Sequence, residues 1–186
     1  MTDKATENGS FSAKHAAKKD WKLDAGLQRA IQMSLAGGVR HVVDIGAGVG
    51  KYVEWLRDEC RVEALGLDGI PGVGDLSNGL VEECDLTGVL SQREFDLGVC
   101  AEVGEHIPLE LTEQFIANIT SIVALRLLVS WAVPNQRGRN HINCQSPEWV
   151  ANAFGRHGWQ LQWDATEQLR KIAGKGWDHK LLFFHR

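Results

Sequence analysis

The sequence predicts an α/β fold in which a mostly parallel sheet carries helices on both faces. Three observations point to it. Short apolar runs alternate with longer amphipathic segments along most of the chain, the pattern that β-α-β units produce. A glycine-dense turn, "DIGAGVG" at 44–50, separates the first apolar run from the amphipathic segment that follows. Acidic residues then recur where successive apolar runs end, at Asp44, Asp68 and Asp85.

Candidate strands occupy 40–45, 62–67, 80–84, 95–100, 126–132, 159–163 and 180–185. Helical periodicity runs through 50–59, 109–123 and 147–156, most clearly in Leu111, Phe115, Ile119 and Ile122, which fall on one face. An earlier helix is marked by Leu27, Ile31 and Leu35 at four-residue spacing and is stopped by Gly37 and Gly38. The link 164–179 is too long for a tight hairpin turn and predicts a short helix over 166–172. Pro134, Asn135, Gly138 and Asn140 mark a long irregular loop.

With 186 residues, 44% of them hydrophobic and 24% charged, the chain has the make-up of one soluble domain with a full core. That domain is expected to span 21–186. Residues 1–20 are polar, with Lys14, His15, Lys18 and Lys19 clustered, and predict a flexible, solvated N-terminal arm or else a flap that orders over a bound substrate. No window approaches the roughly 18 apolar residues of a membrane span, and no signal-peptide apolar region follows the N-terminus, so a cytoplasmic protein without membrane contact is expected. Cys60, Cys84, Cys100 and Cys144 lack C-x-x-C spacing and are expected to be reduced thiols. The net charge of −4 gives no general attraction to phosphate backbones, so no nucleic-acid partner is expected.

Open α/β sheets bind ligands beyond the carboxyl ends of their strands, and Gly46, Gly48 and Gly50 occupy such a turn. Glycine tolerates positive φ and leaves room for a ligand to approach the backbone. The dinucleotide fingerprint G-x-G-x-x-G would need glycine at 51, where Lys51 stands, and no G-K-[ST] follows for a phosphate-binding loop. Asp44 would repel a pyrophosphate and attract a cation.

In the order D-I-G-A-G-V-G, this turn resembles the first motif of the class I S-adenosylmethionine-dependent methyltransferases. "ALGLDGIPG", "VEECDLTG" and "FDLGVCAEVGEHIP" extend the resemblance over roughly residues 40 to 134. It implies a Rossmann-like three-layer sandwich whose seven-stranded sheet runs in the order 3-2-1-4-5-7-6 with the last strand antiparallel. S-adenosyl-L-methionine is then the implied cofactor and S-adenosyl-L-homocysteine the product. By the resemblance, Asp44, Gly46, Ala47, Gly48, Gly50, Tyr52, Asp68, Gly69, Ile70, Asp85, Leu86, Glu102, Val103 and His106 would bind the cofactor. The glycine turn would cradle its methionine part, Asp68 would meet the ribose, Asp85 and Leu86 the adenine, and Glu102 would lie near the donor methyl. A carboxylate at 68 can accept both ribose hydroxyls, although a dinucleotide-binding protein would also place an acid there. Taken alone, Asp85 reads as a turn residue.

Methyl transfer from a sulfonium is an in-line displacement that needs a positioned acceptor and excluded water. The segments 102–108, 131–145 and 164–179 leave strand ends and offer Glu102, Glu105, His106, Trp131, Asn135, Arg137, His141, Asn143 and Trp177. His106 and His141 are candidate general bases, and Glu102 is the third catalytic candidate. Each has a plainer alternative: helix packing for His106, a loop hydrogen bond for His141, and for Glu105 a complement to the dipole of the next helix. Trp131 and Trp177 can wall an apolar or cationic pocket, whereas Trp55, Trp149, Trp159 and Trp163 fit core or edge packing. Arg137 and Arg139 can meet an anionic acceptor or simply be solvated.

"AEVGEH" replaces the N-P-P-Y-type tetrad of enzymes that methylate exocyclic base amines or glutamine amides, which disfavours those acceptors. No cluster of oxygen ligands is evident, so no metal is expected. The expected activity is methyl transfer to a small-molecule acceptor, with a peptide or protein side chain as the second choice. An NAD-binding protein and a catalytically silent binding subunit remain as alternatives.

Overall fold

A computed structural model describes residues 9–18, 22–90 and 93–186. Residues 1–8 and Lys19 of the expected arm lie outside the described residues, as do Trp21 and the side chains of His15 and Lys18. Helices α1 (Ala13–Lys18) and α2 (Ala25–Ser34) precede strand β1 (His41–Ile45). Then follow α3 (Lys51–Asp58), β2 (Glu63–Asp68), α4 (Val73–Leu76), β3 (Val81–Glu83) and β4 (Phe95–Ala101). Two 3-10 turns, Gly104–His106 and Leu109–Leu111, lead into α5 (Thr112–Ser121) and β5 (Val123–Ser130). The chain closes with α6 (Pro147–Arg156), β6 (Gln160–Leu161), α7 (Trp163–Ala173) and β7 (Leu181–His185).

The sheet order is β3-β2-β1-β4-β5-β7-β6. β1 runs parallel to β2 and β4, as do β3 to β2 and β5 to β4, while β7 is antiparallel to both β5 and β6. The topology matches the expected one. Its two faces follow from the two-residue period of a strand. Val43 and Ile45 of β1 enter one core cluster and Val42 the other; β5 divides Leu127 and Val129 from Leu128 in the same way. Phe115, Ile119, Val150 and Phe154 bring α5 and α6 onto the first face, and Leu27, Ile31, Val53, Leu56 and Leu169 bring α2, α3 and α7 onto the second. A fully buried ring such as Phe184, stacked 4.9 Å from Phe154, contributes about 1.5–3 kcal/mol through the area it removes from water.

Local signals fix several boundaries. Ser146 accepts the Trp149 amide at 3.2 Å and Pro147 opens the helix, so α6 starts where the sequence places it. β5 begins earlier than expected and ends at Ser130, because Trp131 leaves the sheet to pack on Gly104. β6 stops at Leu161 because Gln162 caps α7; Trp163 therefore opens a helix and stands exposed, not packed at a sheet edge. α1 and α4 have six and four residues, too few to show a helical period in the sequence. All four cysteines are free. Among the described residues, no helix is long and apolar enough to cross a membrane.

Candidate functional site

The carboxyl ends of β2, β1 and β4 stand side by side and carry the glycine turn, Asp68 and the segment after Ala101. Gly46, Gly48 and Gly50 all have positive φ, at 74°, 57° and 80°, which L side chains adopt only at a cost. The reason for glycine differs in part from the one expected. A Cβ on Gly46 would stand 2.4 Å from a Val103 methyl, and one on Gly50 would stand 2.9 Å from a Val81 methyl. At those two positions left-handed backbone and close packing against Val103 and Val81 already demand glycine. Val103 and Ala47 are nearly buried, and Ala47 packs where a Cβ on Gly66 would come within 2.7 Å.

Asp68 points into the turn. Its two carboxylate oxygens accept the Gly48 amide at 2.7 Å and the Ile70 amide at 3.0 Å. Asp44 is buried, and burial together with the Asp68 charge pushes its carboxyl up to about 7. Two neighbouring buried acids make this end of the sheet a place where positive charge is stabilised. Tyr52 accepts the Asp24 amide at 2.9 Å through its hydroxyl, tying the start of α2 to α3.

The remaining cofactor candidates divide. The Ile70 and Leu86 side chains belong to the core clusters, so any contact they make with a ligand falls to their backbone. Asp85 is exposed and accepts both the amide and the hydroxyl of Thr87, at 2.9 and 2.7 Å, so it builds a turn. Asn118 pins that turn from α5 by donating to the Leu86 carbonyl at 2.9 Å and the Gly88 carbonyl at 2.6 Å. Gly69 lies against Ser10, whose Cβ would meet a side chain there at 2.9 Å.

After β4 the backbone turns sharply: Glu102 has a φ of 58°, unusual for a residue with a side chain. One Glu102 carboxylate oxygen accepts from the Ser130 hydroxyl at 2.8 Å. The other accepts from Lys180 at 2.6 Å and Gln136 at 3.1 Å. The Lys180 ammonium also lies 4.9 Å from the Trp177 ring centre, so Trp177 receives a cation from within the chain. Trp131 walls no pocket: it is buried, its indole N–H donates to the Asn143 carbonyl at 2.6 Å, and a Cβ on Gly104 would stand 2.3 Å from its ring. Asn143 is a structural clamp that donates to the Ile107 carbonyl at 3.1 Å and the Thr112 hydroxyl at 2.8 Å. Arg137, Arg139 and Asn135 are exposed on the loop.

Glu105 lies in the 3-10 turn Gly104–His106. It is fully buried, and neither carboxylate oxygen has a hydrogen-bond partner of good geometry. Burial first, and the Glu102 charge second, push its carboxyl up to about 8, with the Glu105 and Ala132 backbone amides and Lys180 offsetting part of the rise. His106 Nδ1 lies 3.1 Å from the Asn140 carbonyl and His141 Nδ1 3.3 Å from the Gln136 carbonyl. The two imidazoles meet edge to face at 5.2 Å, and His141 Nε2 stands 3.9 Å from a Glu105 oxygen. The sequence showed no metal-ligand spacing, yet the fold brings potential ligand atoms of Glu105, His106 and His141 within 4.8 Å of one another.

The N-terminal segment reaches the same edge. A Cβ on Gly9 would stand 2.3 Å from the His106 carbonyl oxygen, Ser10 lies on Gly69, and the Phe11 ring meets His106 edge-on at 5.2 Å. Residues 9–11 thus run against the site, the position named for a flap. Sequence reasoning missed Phe11 and Lys180.

No family model matches the sequence, and a search of curated proteins finds no match. Solved structures do match. A sugar N-methyltransferase from a Streptoalloteichus species superposes with a TM-score of 0.70 at 13% identity, over 90% of this chain and 88% of that one. Magnesium protoporphyrin IX methyltransferase from Synechocystis, with bound S-adenosylhomocysteine, gives 0.65 at 16% identity over 93% and 92%. The [4+2]-cyclase SpnF gives 0.63 at 13% identity over 91% and 83%. The chain has the class I methyltransferase fold. Within this methyltransferase fold the turn at 46–50 and Asp68 occupy one flank of the carboxyl edge, and the Glu102–His106 segment with the 133–145 loop occupies the other.

Proposed function

We propose that the chain is an S-adenosyl-L-methionine-dependent methyltransferase acting on a small-molecule acceptor, with residues 21–186 as its catalytic domain. The observation that carries this reading is the pair of buried acids, Asp44 and Asp68, at the glycine turn. A cofactor bearing an ammonium and a sulfonium relieves their repulsion, whereas a dinucleotide pyrophosphate would increase it. Lys51 in place of the third fingerprint glycine argues the same way.

In this reading Gly46, Ala47, Gly48, Gly50 and Tyr52 surround the methionine moiety. Asp68, which accepts the Gly48 and Ile70 amides, meets the ribose hydroxyls through its carboxylate. Asp85 lies at the adenine end, and Glu102, Val103 and His106 stand toward the donor methyl. The acceptor would meet the polar wall of Glu105, His106 and His141. Two of the structural neighbours named above are methyltransferases of a sugar and a porphyrin, which favours a small acceptor over a peptide or protein side chain.

The cyclase shares the frame, so the frame alone does not decide the chemistry. Calorimetric titration with S-adenosylmethionine, S-adenosylhomocysteine and NAD decides the cofactor. Binding of both sulfur nucleosides with none of NAD is expected; NAD binding alone would overturn the reading. An acceptor screen with the loaded protein then separates an enzyme from a silent binding subunit.

A further inference from the structure

We propose that Glu105, His106 and His141 form a binding site for one divalent transition-metal ion. The carboxylate is fully buried and neither of its oxygens makes a hydrogen bond of good geometry, its own amide and that of Ala132 being the nearest donors. Buried polar groups in folded proteins are almost always satisfied, and a bound ion is one of the few explanations for an exception. In its ionised form a carboxylate buried in this way needs a positive partner.

The imidazoles sharpen the case. Each ring turns Nδ1 toward a backbone carbonyl, Asn140 for His106 and Gln136 for His141. A carbonyl only accepts, so Nδ1 carries the proton and the ring lone pair resides on Nε2. This is the outer contact that metal-bound histidines use to fix tautomer and orientation. At His141, Nε2 stands 3.9 Å from a Glu105 oxygen, beyond hydrogen-bond reach. A cation between them would be bound by both.

The spacing is close to what an ion needs. Ligands bound at 2.0–2.2 Å to a tetrahedral ion stand about 3.4 Å apart, and the three potential ligand atoms already lie within 4.8 Å of one another. The loop bearing His141 is fastened to the residue that bears the carboxylate, since the Ile142 and Asn143 amides both donate to the Glu105 carbonyl, at 2.9 and 3.0 Å. Two imidazoles and one carboxylate suit zinc, cobalt, nickel or ferrous iron better than magnesium or calcium. Three protein ligands leave a coordination position open. Resting on the methyltransferase reading, that position would take an oxygen of the acceptor and lower its pKa, with the imidazoles serving as ligands in place of general bases.

The test uses the full chain without a histidine tag, stripped by a chelator and titrated with Zn²⁺ by calorimetry and with Co²⁺ by visible absorption. One ion per chain is expected, with ligand-field bands for Co²⁺. His141→Ala and Glu105→Gln should each weaken binding at least tenfold, while His157→Ala, on the far end of α6, should not. Circular dichroism confirms that each variant is folded; His141 sits on a loop, so its variant keeps the test decisive if Glu105→Gln misfolds. No binding by the parent chain, or equal binding by the His141 variant, overturns the site. Titrating S-adenosylhomocysteine into the stripped and loaded samples separates the two readings: metal bound without the nucleoside leaves the metal site and sinks the methyltransferase, and the reverse result does the opposite.

Discussion

Lys180, the residue before β7, places its ammonium 2.6 Å from a carboxylate oxygen of Glu102, the residue after β4. The pair closes the sheet's carboxyl edge across β5, and the lysine side chain is only 10% exposed. Removing one partner of a mostly buried pair leaves the other charge without compensation. Lys180→Met should therefore lower stability by about 2 kcal/mol in urea unfolding, and pairing it with Glu102→Gln should recover part of that loss. A single variant as stable as the parent chain would show the pair to be idle.

Asp44 predicts a pH dependence. Its carboxyl titrates near 7 in the fold against a reference value of 3.8, with burial the larger cause and Asp68 the second. Between those values the folded chain binds more protons than the unfolded one, so this group's contribution makes stability fall as pH rises from about 4 to about 7. Asp96 and Glu113 are shifted downward and act in the opposite sense, so the parent chain must be compared with Asp44→Asn. The stability difference between them should grow across that window in favour of the variant. A difference that does not change with pH would refute the assignment.

Asp68 holds the turn and, in the proposed reading, the ribose. Asp68→Ala should raise the dissociation constant for S-adenosylhomocysteine at least tenfold, on the order of 1–3 kcal/mol for lost hydrogen bonds. It should also lower the unfolding midpoint, because the Gly48 and Ile70 amides lose their acceptor. An unchanged dissociation constant would remove Asp68 from the site.

Much of the fold is legible in the sequence because period and punctuation agree: all seven strands and the three central helices follow from apolar spacing and from Gly, Pro and Ser at the breaks. The site is legible only where one contiguous motif carries it, as at 44–50. Lys180 reads as a solvent-facing lysine until the reversal of β7 brings that strand's first residues to the carboxyl edge of its neighbours. Glu105 and His106 are separated from His141 in the chain by a helix and a strand, so their meeting depends on how the 133–145 loop folds back. Trp131 misleads in the other direction, since a tryptophan leaving a strand end can either line a pocket or, as here, fill the core.

Two glycines test the packing of this edge. A Cβ at Gly138 would stand 2.0 Å from His141 Nε2, so Gly138→Ala should swing the imidazole away. Zn²⁺ affinity should drop about tenfold or more, as expected for disturbing a ligand or its support, with the unfolding midpoint little changed. Unaltered affinity would separate His141 from the metal.

Gly104→Ala meets a more rigid neighbour, the buried Trp131 ring at 2.3 Å. Overpacking of this kind costs about 1–3 kcal/mol, to be read in urea with tryptophan fluorescence as the signal. A stability equal to that of the parent chain would mean that Trp131 has room to move.

Residues 9–11 run from the His106 backbone, after β4, to Gly69, after β2, and β1 with Asp44 lies between those two strands. Anything travelling to or from the glycine turn by this route must first lift that span, so traffic and affinity are set by different parts of the chain. On the proposed methyltransferase reading, release of the spent nucleoside would then limit turnover, and edits near Gly9 would change that speed more than they change affinity for the nucleoside.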